Sequence, residues 1–223
     1  MADQAPAIRL GEKPAGYYGQ GRADVIAELE PPLGRVLDVG CGEGGAADAL
    51  RAAGASWISG IEIMPEPAAR AAERYDEVRE GDAVEMLAEV SGPFDTILCY
   101  DVLEHLVDPA ALVRRLREVA APGGRLHVSV PNARHYSLMR DLIFRGTFGY
   151  SEYGHRDATH LRWFTRRDMT ELLESAGFHV VSTTPGAIHR IRQLPVRLPR
   201  RLVYGIGGEL MTQQWYLLAR ADG

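Results

Sequence analysis

Apolar positions along the chain fall into short runs, each stopped by glycine, proline or an acid and followed by a stretch of helical composition. Val36-Leu37-Asp38-Val39 ends at Gly40-Cys41-Gly42-Glu43-Gly44-Gly45, and alanine-rich Ala46 to Ala53 follows, which predicts a strand, a glycine turn and a helix. Trp57 to Ile63 repeats the pattern, with Pro65 and a helical segment from Glu66 to Tyr75 behind it; Glu77-Val78-Arg79 is a short third strand ending at Gly81-Asp82. Phe94 to Tyr100 predicts a fourth strand. Asp108 then caps a helix with Pro109 at its first position, running to about Ala120. Pro122-Gly123-Gly124 breaks that helix from a fifth strand, Arg125 to Val130, which Pro131 closes.

Five such alternations predict a parallel sheet with helices on both faces. The remainder is less regular. Asn132 to Leu161 is rich in His, Arg, Tyr and Gly and reads as an insertion over the strand ends, where substrate loops sit. Thr165 to Ala176 predicts a helix, with Thr165 and Asp168 as a capping box and Gly177 as its stop; His179 to Thr183 and Gln214 to Ala219 are the last strands. The fold class is therefore α/β: a Rossmann-like doubly wound sheet, mostly parallel with a C-terminal antiparallel strand. Residues 1–223 form one domain: an N-terminal cap segment (1–33), a cofactor-binding core (34–131), a substrate lid (132–164) and a C-terminal helix and strands (165–223).

Composition narrows the class. At 223 residues, with 46% hydrophobic and 25% charged residues, the chain has ordinary globular usage. No run approaches the roughly 18 apolar residues that span a bilayer, and Met1 to Glu12 lacks a basic region followed by an apolar stretch. The two cysteines, Cys41 and Cys99, offer neither a disulfide framework nor a zinc spacing, so a reducing cytoplasmic location is expected. A formal charge of −5 argues against nucleic acid as a partner.

The chemistry begins at the glycine turn. Gly40, Gly42 and Gly45 satisfy the dinucleotide spacing, and Glu62 follows Gly40 by 22 residues, as a ribose-binding acid would. Asp38 separates the readings. A carboxylate two residues before the first glycine would face a pyrophosphate unfavourably, whereas it suits the cationic amino group of S-adenosylmethionine. Glu62, with Ile63 beside it, can accept from ribose hydroxyls, Asp82 can take the exocyclic adenine amine, and Ala83 can offer a backbone N–H to the ring.

Together, Val36 to Gly44, Glu62, Gly81-Asp82 and Asp101-Val102-Leu103-Glu104-His105 resemble the ordered motifs of class I S-adenosylmethionine-dependent methyltransferases. The resemblance is dense over residues 33–131. It implies S-adenosylmethionine as cofactor, bound by Asp38, Gly40, Cys41, Gly42, Glu62, Ile63, Asp82, Ala83, Tyr100 and Asp101. It also implies an aromatic pair, Tyr17-Tyr18, near the methionyl group. The tail, His160-Leu161-Arg162-Trp163-Phe164-Thr165 and Leu173 to Phe178, is similar to a bacterial branch often associated with glycan and cell-surface biosynthesis. A sugar or glycan hydroxyl is accordingly the first expectation for the acceptor, with a phenolic or other small-molecule hydroxyl second and an amine third. Nothing in the sequence specifies an oligomer.

Methyl transfer is an in-line displacement at a sulfonium and needs positioning rather than a covalent nucleophile, so Cys41 is expected to pack rather than react. A hydroxyl acceptor needs a base; His105 is the first candidate and His160 the second, with Glu104 beside them at the end of the fourth strand. Asp101, Glu104 and His105 also resemble the acid-x-x-Glu-His spacing of small-RNA 2′-O-methyltransferases and some ubiquinone-pathway O-methyltransferases, with His160 as the distal histidine. No metal is the main expectation, and a cation on these four residues is the alternative. A basic run, Arg190 to Leu202, could meet an anionic substrate or a membrane surface. Two other classes stay open: a non-catalytic S-adenosylmethionine-binding partner protein, and a nicotinamide-dependent oxidoreductase, which Asp38 disfavours.

Overall fold

A computed structural model of the chain describes residues 22–152, 154–186 and 206–222. Tyr17, Tyr18 and the basic run from Arg190 to Leu202 lie outside the described residues. The described strands are β1 (Gly34–Val39), β2 (Ala55–Glu62), β3 (Glu77–Glu80), β4 (Phe94–Tyr100), β5 (Ala120–Pro131), β6 (Phe178–Pro185) and β7 (Gln214–Ala221). They form one sheet in the order β3-β2-β1-β4-β5-β7-β6. The pairs from β3 through β5 are parallel, and β7 lies antiparallel to both β5 and β6. The C-terminal strand is thus the antiparallel one, as expected.

Alternation along each strand divides the core into two layers. Leu37 and Val39 of β1 and Ile97 and Cys99 of β4 pack with α5 (Pro109–Val119) and α7 (Arg166–Ser175). Val36 and Leu98 face the other way, with Leu50 of α2 (Ala47–Ala52) and Ala71 of α3 (Pro65–Ala71). Helix starts follow their local chemistry. The Asp108 side chain accepts from the Ala111 N–H at 3.0 Å with Pro109 at the first position, and Thr165 with Asp168 forms a reciprocal capping box.

Two boundaries differ from the sequence expectation. β5 starts at Ala120, because Phe94 pairs with Ala120 and Thr96 with Arg125, so Pro122-Gly123-Gly124 bulges out within the strand instead of preceding it. α3 stops at Ala71, four residues early, and the turn after it swings Tyr75 into the core.

Residues 132–164 pass from the end of β5 into α6 (Tyr136–Arg140), a π-type turn (Asp141–Arg145) and a loop. Asn132 ties the start of this segment down by donating to the carbonyls of Glu209 (2.6 Å) and Thr212 (2.8 Å) at the end of α8 (Ile206–Met211). At its other end the Glu104 carbonyl accepts from the N–H groups of Leu161 (2.8 Å) and Arg162 (3.0 Å). No described helix is long and apolar enough to cross a membrane.

Candidate active site

β1 sits where the strand order reverses, between β2 and β4, and a crevice at the carboxyl ends of these strands follows from that topology. It is a cleft of about 1120 Å³. The chain turns out of β1 at Gly40, whose φ of 73° and 2.5 Å separation between an added Cβ and Val102 Cγ2 leave room for glycine alone. The N–H groups of Gly40 and Cys41 both donate to the Ile61 carbonyl, which ties the turn to the end of β2.

Asp38 lies at the base of this turn, 6% exposed. Burial pushes its carboxyl up to about 6, with the charge of Glu62 adding to the effect and a 2.6 Å hydrogen bond from the Tyr75 hydroxyl opposing it. Gly60 makes that bond possible, since a Cβ there would lie 2.7 Å from Cys41 Sγ and 2.9 Å from the Tyr75 ring. Glu62 is also buried and its pKa raised by burial, but its orientation is fixed: Oε2 accepts from Gly42 N–H and Oε1 from Met64 N–H, each at 2.9 Å. Asp82 spends Oδ1 on capping α4 (Ala83–Met86), accepting from Val84 N–H at 2.8 Å. Ile63 and Ala83 line the same cleft; so does Cys41, whose thiol burial holds well above the usual range, as a packing residue requires.

At the end of β4 a 3₁₀ turn, Leu103–His105, presents Glu104 and His105. Glu104 is 1% exposed, and neither carboxylate oxygen has a hydrogen-bond partner among the described residues. Burial pushes its pKa up to about 8. His105 Nδ1 lies 3.2 Å from the Thr159 carbonyl and 3.2 Å from its hydroxyl, and that hydroxyl donates to Asp157 at 2.7 Å. A carbonyl acceptor favours the proton on Nδ1 and leaves Nε2 as a base or ligand. The His105 and His160 rings meet edge to face at 4.8 Å, and one potential ligand atom from each of Glu104, His105 and His160 lies within 4.8 Å of the others.

Asp101 corrects the four-residue metal alternative. It stands at φ 54°, and its carboxylate is taken by the Arg22 guanidinium, the Gln214 amide and the Ser129 hydroxyl, so it does not join the Glu104–His105–His160 group. It nevertheless lines the cleft, as does Tyr100, whose hydroxyl is 2.8 Å from His127 Nδ1. Burial pushes His127 down to about 4, so it stays neutral in a packing role. Every described residue expected at the site lines the one cleft.

Sequence reasoning missed Arg22, Tyr75, Asp157 and Gln214. Arg22 also donates to the Tyr216 hydroxyl at 2.8 Å and lies over the Tyr100 ring, 5.9 Å from its centroid. It places a cation on the cleft wall.

The Asp38 environment predicts a pH effect. A cationic ligand needs the carboxylate, and Tyr75, Glu62 and Arg22 are the groups that bias its titration. Because the folded pKa is raised, the ligand-free protein keeps this contribution to stability at low pH and loses it as pH rises through about 6. A ligand that supplies a cation offsets the loss. The thermal stabilisation by S-adenosylmethionine should therefore grow from about pH 5 to pH 7.5; a shift independent of pH would place the ligand's amine elsewhere.

A family described as a methyltransferase domain matches residues 15–183. A ubiquinone biosynthesis O-methyltransferase of Xylella fastidiosa (strain 9a5c) is 39% identical over 141 residues, covering 59% of this chain and 56% of that protein. One from Pseudomonas aeruginosa (strain LESB58) is 36% identical over 136 residues, covering 53% and 57%. The chain thus spans little more than half the length of these curated relatives. The crystal structure of an S-adenosylmethionine-dependent methyltransferase from Archaeoglobus fulgidus superposes with a TM-score of 0.66 at 17% identity, covering 89% of this chain and 91% of that one, which shows the shared fold.

Proposed function

We propose, from the premise that this chain belongs to the methyltransferase-domain family, that it moves the methyl group of S-adenosylmethionine to a hydroxyl of a small molecule. S-adenosylmethionine is the cofactor. Asp38 receives its amino group, Glu62 its ribose hydroxyls, and Asp82 with Ala83 its adenine; Arg22 faces its carboxylate. The observation that carries the catalytic half is the gathering of Glu104, His105 and His160 in the cleft that holds Asp38 and Glu62. His105, with Nδ1 turned to Thr159, would take the proton of the acceptor hydroxyl on Nε2, and S-adenosylmethionine, when bound, would supply the electrophilic methyl group. Residues 132–164 act as a lid, since Gly154, His155, Asp157 and His160 reach the cleft wall.

For the acceptor, the names of the relatives favour a phenolic hydroxyl over the sugar or glycan hydroxyl that the sequence suggested; no relative named above supports a glycan.

A specific observation supports a second reading of the same cluster. A buried carboxylate whose two oxygens have no hydrogen-bond partner among the described residues, beside two histidines, fits a divalent cation, and Glu104, His105 and His160 would hold it. Such an ion, when bound, lowers the pKa of an acceptor hydroxyl. Incubation with labelled S-adenosylmethionine and either a 1,2-dihydroxybenzene or a simple sugar, with and without chelator, tests both readings. Transfer to the phenol is expected. Loss of transfer on chelation, restored by magnesium or manganese, would select the cation. Tight cofactor binding with no transfer to any hydroxyl would leave a non-catalytic binding protein.

A further inference from the structure

Behind Asp38 the pocket holds a tyrosine whose hydroxyl the chemistry described above leaves unused. Tyr75 is buried, as is Asp38, and it donates to Asp38 Oδ2 at 2.6 Å. Its corner of the chain is stitched in place. The Tyr75 N–H donates to the Ala71 carbonyl at the end of α3 and the Asp76 N–H to the Ile58 carbonyl, each at 2.9 Å, while the Asp76 carboxylate accepts from the Ile58 N–H and from Arg51, each at 2.7 Å. The ring then fits between two glycines. A Cβ on Gly60 of β2 would lie 2.9 Å from Cδ2, and one on Gly44 of the glycine turn would lie 3.4 Å from Cε1, on the opposite edge of the ring. A side chain at Gly60 would therefore push the ring away from Asp38.

The chemistry of the place suits a tyrosine. Burial, and then the charge of Asp38, hold the phenol well above its ordinary range, so the hydroxyl stays a donor at every working pH. A neutral donor stabilises a carboxylate without cancelling its charge, whereas a lysine or arginine there would pair with Asp38 and take the place of a cationic ligand. Burial is what most opposes ionisation of Asp38; against it the Tyr75 hydrogen bond acts more strongly than Arg22, and Glu62 on β2 sides with burial. Cys41, Cys99 and Tyr100 also feel the Asp38 charge, and burial keeps all three neutral.

We infer that Tyr75 is a positioning residue for the cofactor: its hydroxyl holds Asp38 Oδ2, so that the carboxylate keeps its charge and offers Oδ1 to the amino group of S-adenosylmethionine. The inference rests on the reading that gives Asp38 that role.

Tyr75→Phe keeps the ring between the glycines and removes one oxygen. Calorimetric titration of the full chain with S-adenosylmethionine should show affinity about three- to tenfold weaker than wild type near pH 7, the gap closing to about twofold or less near pH 8, because a carboxyl that has lost its donor ionises later. A packing defect would weaken binding equally at both. In an Asp38→Asn background the same substitution should change affinity by less than about twofold, since no charge is left for the hydroxyl to support. If Tyr75→Phe folds poorly, the wild type labelled with carbon-13 at tyrosine Cζ serves instead. One tyrosine resonance should then titrate with Asp38, through about 6, and that titration should vanish in Asp38→Asn. A folded Tyr75→Phe with wild-type affinity, an equal loss at both pH values, or a tyrosine titration that is missing from the wild type or survives Asp38→Asn would overturn the inference. Unchanged affinity in Asp38→Asn itself would overturn the role of Asp38, and the inference with it.

Discussion

Asp38→Asn is expected to weaken S-adenosylmethionine binding by roughly 10- to 150-fold, the equivalent of losing one charge-assisted contact of about 1.5 to 3 kcal/mol. The amide still accepts from the Tyr75 hydroxyl, so the packing behind the site survives, while the charge proposed to receive the ligand's amino group is gone. The ligand-free variant should be no less stable than the wild type near neutral pH, because a carboxyl that burial pushes up to about 6 is costly to ionise there. Calorimetric titration with S-adenosylmethionine checks the affinity and thermal denaturation the stability. Unchanged affinity in a folded Asp38→Asn protein would remove the amino-group pocket from this part of the cleft.

His105→Ala is expected to lower turnover by about 100- to 10,000-fold with cofactor affinity nearly intact. The residue sits on the 3₁₀ turn after β4 and not on the glycine turn itself, and its ring is oriented by Thr159, which Asp157 in turn holds. Thr159→Val should therefore give a smaller loss of turnover, since it removes the hydroxyl link to Asp157 but keeps the carbonyl that accepts from His105. Steady-state kinetics with separate measurement of cofactor binding distinguishes a lost base or ligand from a damaged pocket. Full activity in His105→Ala, insensitive to chelator, would leave His105 as a packing element.

The gathering of the proposed cofactor residues in one cleft was legible because its determinants are local. Asp38, Gly40, Gly42 and Glu62 follow one another through a strand, a turn and the next strand, and the fold fixes their mutual placement once those elements exist. The strand alternation and the Thr165–Asp168 cap were legible for the same reason. What escaped depends on distant pairings. Arg22 reaches the site through Asp101 and Tyr216, 79 and 194 residues away, and no periodicity links those positions. Tyr75 looked like the end of a helix; an early stop and a bare Gly60 turn it onto Asp38 instead. Asp101 matched a ligand spacing by sequence, but its left-handed backbone and the Arg22, Ser129 and Gln214 side chains claim its carboxylate. The bulge in β5 hid behind Pro122-Gly123-Gly124, which ends a strand as readily as it interrupts one.

The most direct test of the account is the fate of the methyl carbon. With S-adenosylmethionine labelled with carbon-13 at the methyl group, excess wild-type protein and a 1,2-dihydroxybenzene acceptor, a single turnover followed by NMR should convert the sulfonium methyl resonance into that of an aryl methyl ether, with S-adenosylhomocysteine formed in equal amount. Recovery of the label as bound, unreacted S-adenosylmethionine, or its appearance on nitrogen when an amine is supplied in place of the phenol, would contradict a hydroxyl-directed methyltransferase.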